Sequence, residues 1–207
     1  MSRFVEPALW PLPTPASASG CFETMRAYQG KIFRLEGHLD RLYASLHYLG
    51  LRMPLAPRQL AQRLGRALRA SGLREAVVRI ALVPDATREA STSIVVQPAR
   101  PLPASWYRRG IRIAIVPTRK FAVGQIDPQA KFSARLGSVM AVMEAHVRKV
   151  DEAIFLDGTG SVTESTASNL GIITRGRLVS PPGWLGLLAV ISWQAVTEVA
   201  RSRGRRG

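Results

Sequence analysis

Residues 21–33 read Cys-Phe-Glu-Thr-Met-Arg-Ala-Tyr-Gln-Gly-Lys-Ile-Phe, two extended runs on either side of Gln29-Gly30. Glycine supplies the positive φ that a tight hairpin turn needs, so the stretch predicts a β-hairpin. Working outward, Leu39, Leu42, Leu46 and Leu49 follow at intervals of three and four, the spacing of an amphipathic helix that ends near Gly50. Leu60, Leu64 and Leu68 repeat every four residues and predict a second helix over Pro57 to Ser71. Val- and Ile-rich runs at Ala76 to Val83, Thr92 to Gln97 and Ile111 to Val116 predict strands. A hairpin, two helices and further strands on one core make an α+β unit, expected over residues 1–116.

The mixed, loop-like segment Pro117 to Pro128 is expected as a linker, and residues 129–207 as a second domain. Within it, Arg135 to Arg148 predicts a helix. Ala153 to Leu156, Asn169 to Thr174 and Leu178 to Ser180 predict short strands around turns at Gly158-Thr159-Gly160 and Arg175-Gly176. A last helix is expected from about Ile191 to Arg201. No internal repeat is present.

Composition narrows the function classes. With 46% apolar residues in 207, the chain can bury a substantial core. Its formal charge of +15 comes from 29 basic against 14 acidic residues, and only Lys31, Lys120, Lys131 and Lys149 are lysines. The arginines are spread along helix-like segments, and the one dense run lies at Arg201 to Arg206, so no nucleic-acid partner is expected. Cys21 is the only cysteine, which excludes an intrachain disulfide and suits a reducing compartment such as the cytoplasm. His38, His47 and His146 lack metal-ligand spacing, so no metal is expected. Glu6 and the prolines at 7, 11, 13 and 15 break any signal-peptide core. Pro181, Pro182 and Gly183 interrupt the uncharged run from Leu178 to Thr197, so no membrane span is expected.

Three segments carry chemistry in order. The first is Gly20-Cys21-Phe22-Glu23-Thr24-Met25-Arg26-Ala27-Tyr28, followed by Gly30, Phe33, Leu35, His38, Arg41-Leu42 and Ser45. The second is Lys131 with Leu136-Gly137-Ser138-Val139-Met140-Ala141 and Glu144-Ala145. The third is Asp151-Glu152-Ala153-Ile154-Phe155-Leu156-Asp157, then Val162-Thr163-Glu164-Ser165-Thr166-Ala167-Ser168-Asn169-Leu170 and Ser180-Pro181-Pro182. Together they resemble the class IV, or fold-type IV, pyridoxal-phosphate-dependent aminotransferases, the family that includes branched-chain aminotransferases and aminodeoxychorismate lyases. The resemblance implies a two-domain α+β architecture whose second domain is shortened, pyridoxal 5′-phosphate as cofactor, amino acid and 2-oxo acid substrates, and a homodimer.

What the resemblance implies for single residues agrees with what the chemistry needs. An aldehyde cofactor requires an amine that forms an imine and then shuttles a proton, and the matching lysine is Lys131. A carboxylate that keeps the ring nitrogen protonated is matched by Glu164; taken alone, a Glu in Thr-Glu-Ser-Thr is a common turn or capping residue. Arg41 matches the phosphate arginine, where a forked guanidinium suits the anion. Ile191 and Ser192 would add backbone amides at a helix start.

The match also breaks. Relatives carry a Gly-Ile-Thr-Arg type segment where this chain has Val190-Ile191-Ser192-Trp193, and the family is expected to run about 60 residues further. Pro84 stands where D-amino-acid transaminases place a substrate arginine, which disfavours that activity. Arg135, beside the cofactor by resemblance, replaces the tyrosine usual in branched-chain aminotransferases. With Thr24 and the Lys131 to Leu136 segment, it is similar to the lyases, in which the matching threonine takes part in eliminating pyruvate. Three functions stay open: amino transfer through a lysine imine, elimination of pyruvate from aminodeoxychorismate to give 4-aminobenzoate, and a catalytically inactive relative.

Overall fold

The computed structural model describes residues 20–85, 87–120, 130–188 and 190–203. The signal-peptide expectation therefore concerns residues outside the described ones, as do residues 121–128 of the expected linker and the end of the basic run.

β1 (Cys21–Tyr28) and β2 (Lys31–Ile32) form the hairpin, with Ala27 opposite Ile32 and Tyr28 opposite Lys31. Gln29 and Gly30 take φ of 50° and 78°, the two left-handed residues a two-residue hairpin turn demands. The helices α1 (Leu35–Tyr48) and α2 (Pro57–Ala70) follow, then the antiparallel pair β3 (Ala76–Pro84) and β4 (Ala90–Pro98). β1 also pairs with β3, so the sheet runs β2-β1-β3-β4. Strand alternation sends Cys21, Met25 and Ala27 of β1 and Val78, Ile80 and Leu82 of β3 to one face, where they meet the leucine stripes of α1 and α2.

The second half departs from expectation in one instructive way. A short helix, α3 (Ala104–Arg109), precedes β5 (Ile113–Arg119), and β5 does not join the first sheet. It pairs in parallel with β6 (Glu152–Leu156), which pairs antiparallel with β7 (Val162–Ser165). The strand expected in the first core thus opens the second sheet and runs on through residues 117–119, which were expected as linker. A parallel pair needs a crossover, and α4 (Leu136–Val147) lies in it. Local β-propensity says nothing about which sheet a strand will enter. The segment around Glu164 is likewise a strand rather than a turn. β8 (Ile172–Thr174) and β9 (Arg177–Val179) form a hairpin at Arg175-Gly176, and α5 (Ile191–Ser202) closes the described chain. Among the described residues, no helix is long and apolar enough to cross a membrane.

Candidate active site

The site lies where the 130–133 segment meets the start of β1. Phe22 donates its amide to the Lys131 carbonyl at 3.1 Å, Ser133 donates to the Gly20 carbonyl at 2.8 Å, and Cys21 bridges Phe132. From the other side, Ser45 of α1 accepts the Lys131 amide at 2.9 Å while its hydroxyl donates to the Arg41 carbonyl at 2.8 Å. The Lys131 backbone is therefore held at both its amide and its carbonyl.

Glu23 is the least expected member. Alternation along β1 puts it on the core side with Cys21 and Met25, and it is 1% exposed. Such a carboxylate needs partners. His38 and Arg41 provide them from one face of α1: His38 Nδ1 lies 2.8 Å from Glu23 Oε2, and Arg41 donates Nε to Oε1 at 2.6 Å and Nη2 to Oε2 at 2.7 Å. Burial pushes the Glu23 carboxyl up, but hydrogen bonds from His38 and Arg41 and the charge of both outweigh it and hold the group below its ordinary value.

At Lys131, by contrast, burial wins. Loss of water around the amine, helped by the charges of Arg41 and Arg135 and opposed by those of Glu23 and Glu164, brings its pKa from 10.5 to about 8. Its Nζ lies 5.0 Å from the centre of the Phe22 ring, around which Arg79 and Arg135 also stand at 4.0 and 5.9 Å. Burial and the neighbouring charge of Arg135 lower the Arg79 pKa; burial, opposed by Glu164, lowers that of Arg135. Arg135 is aimed by bonds to the Thr166 carbonyl and, at 3.3 Å, to Ser138 Oγ.

Lys131, Arg135 and Glu164 line one cavity of about 130 Å³, together with Lys120, Ser138 and Phe155. In β7 the neighbours Thr163 and Ser165 turn inward and are buried, which sends Glu164 to the cavity side, where Lys120 donates to its Oε1. Thr24 and Ser192 line a different, neighbouring space of about 420 Å³ with Arg26, His38 and Val77. Thr24 Oγ1 accepts from Arg79 Nη1 at 3.4 Å. Ile191, 4% exposed, begins α5, whose Gln194 is the first amide to reach a carbonyl of the turn, that of Val190. The amides of Ile191, Ser192 and Trp193 precede it without an intrahelical partner. Arg41 is turned onto Glu23.

Four residues of this neighbourhood were given no role from the sequence. Glu23 and His38 carried a signal, an acid at a core position of an alternating strand and a histidine three residues before an arginine. Arg79 and Lys120 carried none, because each acquires its role only through a strand partner or a contact distant in sequence.

The sequence profile of "Amino-transferase class IV" matches residues 20–206. The chain belongs to this family. A Methanocaldococcus jannaschii protein provisionally named a branched-chain-amino-acid aminotransferase is 32% identical over 191 residues, covering 89% of this chain and 66% of its own length. The branched-chain-amino-acid aminotransferase of Pseudomonas aeruginosa is 28% identical over 181 residues, covering 78% and 57%. Among solved structures, the branched-chain aminotransferase of Thermoproteus uzoniensis with norvaline matches at a TM-score of 0.82 and 30% identity, over 90% of this chain and 67% of that one. The "T.th." branched-chain amino acid aminotransferase with pyridoxamine 5′-phosphate matches at 0.85 and 25%, over 90% and 66%. The fold is thus the fold-type IV architecture, and the chain spans about two thirds, or less, of the length of these relatives.

Proposed function

We propose that this class IV chain uses pyridoxal 5′-phosphate, held through Lys131, to move an amino group between an amino acid of the branched-chain type and a 2-oxo acid. The observation that carries the reading is Lys131 itself: a buried amine with its pKa near 8, in one cavity with a carboxylate and a guanidinium. That donor set fits an aldehyde-bearing, anionic heterocycle: an amine for the aldehyde, a carboxylate for a ring nitrogen, and positive charge around both. When bound, the cofactor supplies that aldehyde and a ring that takes up the electron pair left on the substrate's α-carbon.

The residues then divide the work. Glu164, paired with Lys120, would hold a proton at the ring nitrogen. Lys131 Nζ would be the base that takes the proton from the substrate α-carbon and the acid that gives it back to the cofactor's former aldehyde carbon. At the phosphate end, Arg41 would contribute its charge, aimed by Glu23, with the first amides of α5 at Ile191 and Ser192. Arg135 flanks the cofactor from the Glu164 side. Arg79 and Thr24, linked to each other, orient the substrate carboxylate, and Phe22 limits the space beside Lys131. A cytoplasmic homodimer belongs to this proposal, as does a two-domain division in which β5 is counted with the second sheet.

The test is covalent trapping. Purified protein is treated with pyridoxal phosphate and borohydride, then mapped by mass spectrometry, and amino transfer from leucine, isoleucine and valine to 2-oxoglutarate is assayed beside aminodeoxychorismate. The expected adduct is on Lys131, is absent from Lys131→Ala, and accompanies transfer activity. Equal labelling in Lys131→Ala, spread over Lys31, Lys120 and Lys149, would overturn the assignment.

A further inference from the structure

α5 begins on a contact that no residue of the proposed chemistry explains. Trp193, its third residue, lays the edge of its indole on Gly171, in the stretch that leaves β7 and enters β8. A methyl group on Gly171 would overlap Trp193 Cη2 outright and would stand 2.9 Å from Cζ3 and 3.3 Å from Cζ2. An indole ring is rigid and cannot bend away as a lysine tip would, so the ring and the bare backbone exclude any third party. Gly171 does not need a positive φ, and the steric demand of Trp193 is what requires glycine there.

The same helix turn is gripped on its other side. Ile191 packs against α1, its Cδ1 and Cγ1 each 3.8 Å from where a Cβ on Gly37 would lie, and further along α5 Glu198 forms a two-pronged ion pair with Arg34. Trp193 differs in direction: it ties the turn to the segment following Glu164 rather than to the first half of the chain. It is also one of the positions at which this helix start departs from the Gly-Ile-Thr-Arg pattern.

We propose that Trp193, seated on the bare backbone of Gly171, is a positioning residue that fixes the opening turn of α5 against the segment that follows the Glu164 strand. The consequence for function rests on the reading above, because Ile191 and Ser192 would then be held at a set distance from Glu164 by packing. A ring in this role acts through shape, so loss of the ring and loss of its seat are one event and not two.

A double-substitution cycle tests this. Trp193→Ala and Gly171→Ala should each weaken pyridoxal phosphate binding by about tenfold, and Gly171→Ala should have no further effect once the ring is gone. In the protein without added cofactor, hydrogen exchange at the amides of residues 194–197 should speed up by about tenfold in either single variant and no more in the double. Circular dichroism and the urea midpoint identify a variant that has merely unfolded, and Trp193→Leu, which removes the ring but keeps apolar bulk, then replaces Trp193→Ala. Equal effects of Gly171→Ala with and without the ring, or none at all, overturn the proposal. The exchange arm decides it even if the parent protein binds no pyridoxal phosphate, an outcome that would instead sink the cofactor reading.

Discussion

The two larger sheets of this chain are built to different standards. In the first, helices α1 and α2 lay Leu39, Leu42, Leu46, Leu60, Leu64 and Leu68 on the inner face of four strands, and every one of these leucines is 5% exposed or less. In the second, α4 turns only Ala141 and Ala145 inward, onto Val116, Ala153 and Phe155. Its larger side chains point away: Leu136, Met140, Met143 and Val147 are 70, 47, 63 and 79% exposed. Spaced by four, three and four, they form a continuous outer stripe. Apolar burial is what offsets the entropy of ordering a chain, so stability is concentrated in the first sheet. The chemistry sits on the seam: Lys131 is fastened by its backbone to β1 and α1, while Glu164 rides on β7.

The largest effect that could sharpen this contrast concerns the two carboxylates. Glu23→Ala removes the buried carboxylate that Arg41 and His38 share, and we expect a loss of about 4 kcal/mol in urea unfolding. Glu164→Ala, at a site where the carboxylate is 12% and its Lys120 partner 24% exposed, should cost about 1 kcal/mol or less. Equal losses would erase the distinction between a structural and a functional acid. Next come the cores. Leu64→Ala should cost about 3 kcal/mol, since its neighbours cannot close the gap. Val116→Ala, the deepest aliphatic of the second cluster, should cost about 1.5 kcal/mol, near the transfer value of two methyl groups. If Val116→Ala proves the costlier, the second sheet is not the weaker one.

Lys131 lies between these extremes and works against stability. Its amine titrates near 8 when folded and near 10.5 when free, so the folded protein binds fewer protons between those values. The penalty for burying the charge is therefore fully present below pH 8 and fades as pH rises toward 10.5. Lys131→Met should raise stability by roughly 2 to 3 kcal/mol at pH 7 and by almost nothing at pH 10.5, read from unfolding curves at both pH values. A gain independent of pH would mean that the amine is not desolvated. The same titration makes the rate of covalent capture by pyridoxal phosphate rise with pH through about 8, as the neutral amine becomes available.

How much of this was legible in the sequence follows from the range of the forces involved. The hairpin, α1, α2 and α5 are written in local patterns, turn glycine and leucine spacing, and the structure places them within a residue or two of expectation. β5 could not be assigned to its sheet, because Ile111 to Val116 states a preference for being extended and nothing about a partner. Glu164 reads as a turn residue only until Thr163 and Ser165 are seen to be buried, which makes it the outward member of a strand. For the site, resemblance singled out Lys131, Arg41, Glu164, Arg135, Thr24, Ile191 and Ser192. The structure divides them, with Lys131, Arg135 and Glu164 on one cavity and Thr24 and Ser192 on the next. It adds Glu23, whose core-side position strand alternation already marks but whose partners, His38 and Arg41, come only with α1.

The smallest expected effect is the most direct challenge to the comparison. Met143 lies in the middle of the outer stripe of α4, 63% exposed, where its side chain already meets water. Replacing it with Glu removes little buried area and creates no buried charge, so unfolding free energy should change by less than about 0.5 kcal/mol. On the leucine stripe of α2 the same change is of another kind: Leu64→Glu would put a carboxylate with no partner into a fully buried position and should leave the protein unfolded. If Met143→Glu instead lowers stability by several kcal/mol at low protein concentration, the stripe is covered within the folded chain and the second sheet is not the open one. Concentration separates the two meanings of a loss: one that appears only as protein concentration rises belongs to contacts between molecules, and one that persists on dilution belongs to the fold.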